Sequence, residues 1–123
     1  MAYQPYSYKL LGSFIGANMN TTSDQAITML APKYYIDKVI VTNASISLTL
    51  AVGGLYTAAS KGGSLVLGSA QAYSGLTGST KVVNLASLLT ADTLTASTLY
   101  LSLTTAQGSA ASADWYIYGF ELK

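Results

Sequence analysis

The feature that most constrains this chain is strict alternation. In "STLYLSLTT", Leu99, Leu101 and Leu103 face one way while Thr98, Tyr100, Ser102 and Thr104 face the other. A period of two places every second side chain on the same face of an extended strand, which is the signature of a strand with one side in a core. "NASISLTLAV" carries the same pattern, with Ile46, Leu48, Leu50 and Val52 set against Ser45, Ser47, Thr49 and Ala51, and predicts a second such strand. "KYYIDKVIVT" follows Pro32, and its Ile36, Val39, Ile40 and Val41 predict a strand covered on both faces.

Shorter strand candidates are "YKLLGSFIG", "QAITML", "GLYTA", "SLVLG" and "KVVNL", and "DWYIYGFEL" closes the set. Turn signals punctuate them at short intervals: "GANMNTTSD", "VGGL", "SKGGS", "SGLTGST" and "AQGSAAS". About eight or nine short strands with Gly-rich punctuation predict an all-β, antiparallel β-sandwich, jelly-roll-like, rather than a βαβ fold. The one helical candidate is "VNLASLLTAD", where Leu85, Leu88 and Leu89 stand at helix spacing; a short helical turn near 85–91 fits as well as a strand. With 123 residues and no composition break, a single domain over 8–123 is expected, preceded by an extended amino-terminal arm over 1–7.

Charge narrows the function. Asp, Glu and Lys make up 9% of the chain, against about 25% in an ordinary soluble domain. A net charge of +1, with six scattered lysines and no arginine, offers no basic stripe for neutralising phosphates, so nucleic-acid binding is not expected. The opening "MAYQPYSYKLLGSFIGANMN" lacks a basic segment, and its apolar run is short and broken by Gly12, Ser13 and Gly16. Neither a signal peptide nor a membrane span is expected from it.

The residues that usually carry chemistry are missing. There is no histidine for proton transfer and no cysteine for thiolate, disulfide or zinc–thiolate chemistry. Five carboxylates remain, Asp24, Asp37, Asp92, Asp114 and Glu121, and no two share a motif. A pair of carboxylates suffices for glycoside hydrolysis, but turn chemistry and solvation account for Asp24, Asp37 and Asp92. A loop cation site from Asp24, Asn20 and backbone carbonyls lacks the repeated acidic spacing that calcium loops use, so no metal and no cofactor are expected. "SKGGS" and "TGSTK" set lysine beside glycine without the spacing or the helix of a phosphate loop and predict hairpin turns. The expectation is a protein that is not an enzyme.

Ten tyrosines against two phenylalanines are harder to place, because a buried phenol needs a partner for its hydroxyl. Tyr34, Tyr35, Tyr56 and Tyr100 suit a sandwich interior with hydroxyls at the rim. The closing strand differs: period two sends Trp115, Ile117, Gly119 and Glu121 to one face and Tyr116, Tyr118, Phe120 and Leu122 to the other. Neither face is polar, so both must be covered, by the fold or by another subunit. Trp115 is expected in the core, Gly119 at a bulge or close backbone approach, and Tyr116, Tyr118 and Phe120 at a contact surface. Tyr3, Tyr6 and Tyr8, around Pro5, form a second candidate contact segment that could reach a neighbouring subunit.

From "YYIDKVIVTNASISLTLAVGGLYTAASKGG" through "TLYLSLTTAQGSAASADWYIYGFEL", the chain resembles the small virion structural proteins of tailed bacteriophages, in particular jelly-roll capsid decoration or cement proteins. The likeness is one of strand pattern and composition, and no family site residue carries over. It implies a protein made in the host cytoplasm and located on the capsid surface, binding the major capsid protein and itself as a homo-oligomer, a trimer above all. Its implied work is to bridge capsid subunits and stabilise the shell. The alternatives are a phage tail or fibre module and a carbohydrate-binding β-sandwich. The last requires aromatic side chains in a loop-rimmed groove, whereas assembly requires them on flat faces.

Overall fold

A computed structural model describes residues 8–122 and contains eight strands: β1 (Tyr8–Asn18), β2 (Gln25–Thr28), β3 (Tyr34–Thr42), β4 (Val52–Ala58), β5 (Gly62–Leu67), β6 (Val82–Ala86), β7 (Thr98–Thr105) and β8 (Ser112–Glu121). They form two four-stranded antiparallel sheets, ordered β1-β8-β3-β6 and β2-β7-β4-β5. The first strand thus pairs with the eighth, the second with the seventh, the third with the sixth and the fourth with the fifth. A long antiparallel ribbon rolled into two sheets has this order, which is that of an eight-stranded jelly roll.

Alternation builds the core between the sheets. Leu99, Leu101 and Leu103 of β7 are fully buried, as are Trp115 and Ile117 of β8 and Val39 and Val41 of β3. The Trp115 ring packs on Tyr73 with centroids 5.4 Å apart. Tyr73 comes from the β5–β6 loop yet is fully buried, and its hydroxyl donates to Gly53 O at 2.8 Å. Burial pushes the phenol of Tyr73 up, and that of Tyr34 up to about 12. Tyr34 donates to Ala96 O at 2.6 Å, so both of these hydroxyls have acceptors.

Two local expectations are corrected, and a third point that the sequence left open is decided. Residues 43–51 are not a strand: Leu48 is buried, but Ile46 and Leu50 are exposed. Asn43, at φ 54°, turns the chain out of β3, a conformation that asparagine tolerates better than most residues. The segment is then held from outside. The Gln107 side-chain oxygen accepts from the N–H groups of Leu50 and Ala51, its amide donates to Thr49 Oγ1, and Leu48 N–H donates to Leu76 O.

"VGGL" is not a turn but the first half of β4, and the paired glycines are needed for close approach. A Cβ on Gly53 would sit 2.3 Å from Leu103 Cα, and one on Gly54 would sit 2.4 Å from Leu67 O. No helical turn forms at 85–91, where β6 runs to Ala86 and irregular chain follows. Among the described residues there is no helix, so none is long and apolar enough to cross a membrane.

"SKGGS" is a hairpin turn, as expected, and besides Gly63 at φ 69° the non-glycine residues Ser60 and Lys61 take positive φ values of 59° and 56°. Left-handed backbone costs a non-glycine residue roughly 1–2 kcal/mol. The offsets are visible: Ser60 N–H donates to Asp24 Oδ2 at 2.7 Å, and Lys61 Nζ donates to Ser102 Oγ at 2.9 Å and Thr22 O at 3.1 Å. The Ser60 bond is the main reason that the Asp24 carboxyl is held below its ordinary value.

A candidate contact face on the outer sheet

Sheet β1-β8-β3-β6 turns one face inward and the other outward, and the pairing register decides which residues share the outer one. Directly opposed residues of an antiparallel pair project from the same face. Tyr8 opposes Phe120, Leu10 opposes Tyr118, and Ser13 opposes Tyr116 across β1 and β8. On the other flank of β8, Tyr35 opposes Phe120, Lys38 opposes Tyr118, and Ile40 opposes Tyr116. Beyond β3, Asn84 opposes Ile40, and Val82 opposes Thr42. The outer face therefore carries Tyr8, Leu10, Tyr35, Ile40, Tyr116, Tyr118 and Phe120 around the middle of the sheet, with Val82 at its margin.

Two bulges set this register. In β3 the extra residue Asp37 lies between Ile36 and Lys38, so Tyr35 and Lys38 share a face that strict alternation would split. Gly119 faces that bulge, and a Cβ there would lie 2.0 Å from Tyr35 O. In β1 the bulge between Leu10 and Gly12 lets Leu11 enter the core while Leu10 stays on the outer face.

The aromatic rings on this face touch one another. Tyr8 stacks on Tyr118 at 6.2 Å and meets Phe120 edge-on at 5.1 Å, and Tyr35 stacks on Phe120 at 6.4 Å. Ser13, Lys38 and Asn84 are the polar residues in the register rows of Tyr116, Tyr118 and Phe120, and two polar contacts are made beside the rings. Tyr8 Oη donates to Asp37 Oδ2 at 3.1 Å, and Lys38 Nζ stands 5.7 Å from the Tyr8 ring centroid. Desolvation, then the bond to Asp37 and its charge, push the Tyr8 phenol up to about 12, so the hydroxyl remains a donor through neutral and moderately alkaline pH. At the same end of the sheet Lys9 and Glu121 form an ion pair.

Tyr8, Tyr116, Tyr118 and Phe120 are thus brought together on one face, while Tyr3 and Tyr6 lie outside the described residues. Leu10, Tyr35 and Ile40 join them, although none of the three is expected at a contact surface from the sequence. Of the tyrosines expected to fill the interior, Tyr34 is in the core, whereas Tyr35, Tyr56 and Tyr100 lie on outer faces, Tyr56 buried there and the other two half-buried.

An apolar hollow of about 330 Å³ lined by Tyr35, Thr93, Phe120 and Leu122 lies at one end of the face. A polar hollow of about 380 Å³, lined by Asn18, Asn20, Ser45 and Ala110–Ser112, lies at the opposite end of β1 and has no aromatic wall. The carboxylates have separate structural partners: Asp24 accepts from Ser60, Asp37 from Tyr8, and Asp114 from Gly16 N–H and the Asn43 amide. Asn20 accepts from Gly108 N–H rather than turning to Asp24. Among the described residues no three His, Cys, Asp or Glu side chains form a group that could hold a metal ion.

No protein-family model, no curated protein and no solved structure matches this chain.

Proposed function

We propose that this protein is a virion structural subunit, a capsid decoration or cement protein that lays the outer face of its β1-β8-β3-β6 sheet against the major capsid protein and stabilises the shell. The observation that carries the reading is the aromatic, charge-poor character of that face. Large rigid rings with polar tips supply contact area at low entropic cost, and they are enriched where protein surfaces bind most strongly. The jelly-roll strand order and the resemblance in strand pattern agree with it. Self-association, as a trimer, belongs to the same proposal: repeated weak contacts on a symmetric shell add up through multivalency without any single contact being strong.

A tail or fibre module would use the same face at low copy number. The carbohydrate-binding alternative has less support, because the rings lie across a sheet rather than in a loop-rimmed groove; only the hollow beside Tyr35 and Phe120 offers a sugar a partly enclosed aromatic wall.

The test is the copy number of this chain relative to the major capsid protein in purified, nuclease-treated particles, by quantitative mass spectrometry. A ratio of one, or a simple fraction of it, is expected. A handful of copies would move the protein to the tail or fibre, and complete absence would overturn the virion assignment and redirect the search to a glycan array.

A further inference from the structure

A sandwich of two sheets has four edge strands, and each is a row of backbone donors and acceptors open to another chain unless it is blocked. Three of the four are blocked here. β1 is broken by two register shifts, and it is engaged by Leu30, beyond the end of β2, whose N–H donates to Leu11 O, and by the Gln25 side chain of β2, which pairs with the backbone of Asn18. β2 is only four residues long. β5 is irregular against β4, and its Val66 carbonyl already accepts from Leu88 N–H.

β6 is the exception. It pairs with β3 in unbroken register over five residues, contains no charge, proline or glycine, and makes no further backbone hydrogen bond among the described residues. Val82, Asn84 and Ala86 are exposed along it.

We propose that this edge accepts an extended strand, and that the strand is residues 1–7 of a second copy of the chain. "MAYQPYS" suits the task in its alternation: in a strand, every second residue points its N–H and C=O toward a given neighbour. If Ala2, Gln4 and Tyr6 face β6, Pro5 falls on the far side, where its missing N–H costs nothing. Length fits as well. Five paired residues need about 17 Å, and seven extended residues span about 23–25 Å.

The same arithmetic excludes the chain's own arm. β1 and β6 are the two outer strands of a four-stranded sheet, and crossing from one to the other takes roughly 14 Å. Tyr8, moreover, stands level with Tyr35, three positions beyond the Lys38–Ala86 pair that ends the β3–β6 ladder. Seven residues cannot cross that sheet, turn back and still pair along β6, so the donor must be another copy. Such an exchange is reciprocal in a two-fold dimer, or runs head-to-tail and closes into a ring when the rotation between copies allows.

The chain has no cysteine, which makes the experiment direct. Gln4→Cys and, separately, Tyr3→Cys cover the two faces of the arm; each is mixed with isotopically labelled Asn84→Cys protein and oxidised. A mixed disulfide can then form only between copies. One arm position is expected to link to Asn84→Cys at least about tenfold faster than to an Ile15→Cys control on β1. Deleting residues 1–7 is expected to reduce the oligomer to monomers while the β-rich circular dichroism signal persists. Cross-linking no faster than the control, or an oligomer mass unchanged by the deletion, would overturn the proposal. It rests on self-association alone, so its failure with the particle copy number intact would leave the capsid reading standing.

Discussion

Gly119→Ala is expected to destabilise the fold by at least about 3 kcal/mol, a large fraction of the roughly 5–15 kcal/mol that holds an ordinary domain together. The methyl group would be only 2.0 Å from Tyr35 O and 3.0 Å from both Asp37 N and Ile36 Cα, and all three are backbone atoms. A side chain could swing aside, but here relief requires moving β3 at its bulge, where Ile36 pairs with Gly119 and Lys38 with Tyr118. Because β8 lies between β1 and β3, the damage would spread through the sheet that carries the contact face. Urea unfolding followed by circular dichroism checks this. A large fall in midpoint, or loss of the folded baseline, is expected; wild-type stability would mean that β3 does not approach Gly119 so closely.

The second large effect concerns binding rather than folding. Tyr118→Ala combined with Phe120→Ala removes the two rings on which Tyr8 packs, and with them much of the aromatic surface around the middle of the outer face. If these residues anchor a contact, each truncation costs about 2 kcal/mol or more, and 2 kcal/mol is roughly thirty-fold in affinity. Because both side chains are half-buried and project away from the core, the variant should remain folded. Tyr100→Ala is the control, since Tyr100 is also half-buried but lies on the outer face of the opposite sheet, opposed to Tyr56 and Ala26. Co-sedimentation with undecorated shells is expected to show at least a thirty-fold loss for the double variant and little change for the control. Equal losses for the two would assign no special role to this face.

Much of this architecture is legible in the residues, and the limits have physical causes. β7 and β8 are read correctly because their alternation is uninterrupted and both faces are used as it requires. Residues 43–51 alternate just as clearly and yet form a loop. The deciding contacts are a left-handed Asn43 and the side chain of Gln107, which is distant in sequence. Glycine misleads in the same way at "VGGL". Gly53 and Gly54 look like punctuation, but their role depends on how closely β5 and β7 approach β4, which local pattern does not contain.

The contact face shows a similar division. Tyr116, Tyr118 and Phe120 follow from period two along β8. Tyr35 and Leu10 join them only because one-residue bulges in β3 and β1 reset the register, and a bulge leaves little trace in one sequence. Tyr73 stands among Ser, Gly and Ala in a loop segment, and no local pattern marks it for the core, since its burial depends on Trp115 arriving from β8.

The central claim is that the outer face of the β1-β8-β3-β6 sheet is covered in the assembled state. Hydroxyl-radical footprinting tests it most directly, comparing the free subunit with the subunit on intact particles residue by residue. Tyr8, Tyr35, Tyr116, Tyr118 and Phe120 should lose reactivity on assembly, while Leu65, exposed on β5 of the opposite sheet, should keep its own. Unchanged labelling of the five aromatics in the assembled particle would contradict the account.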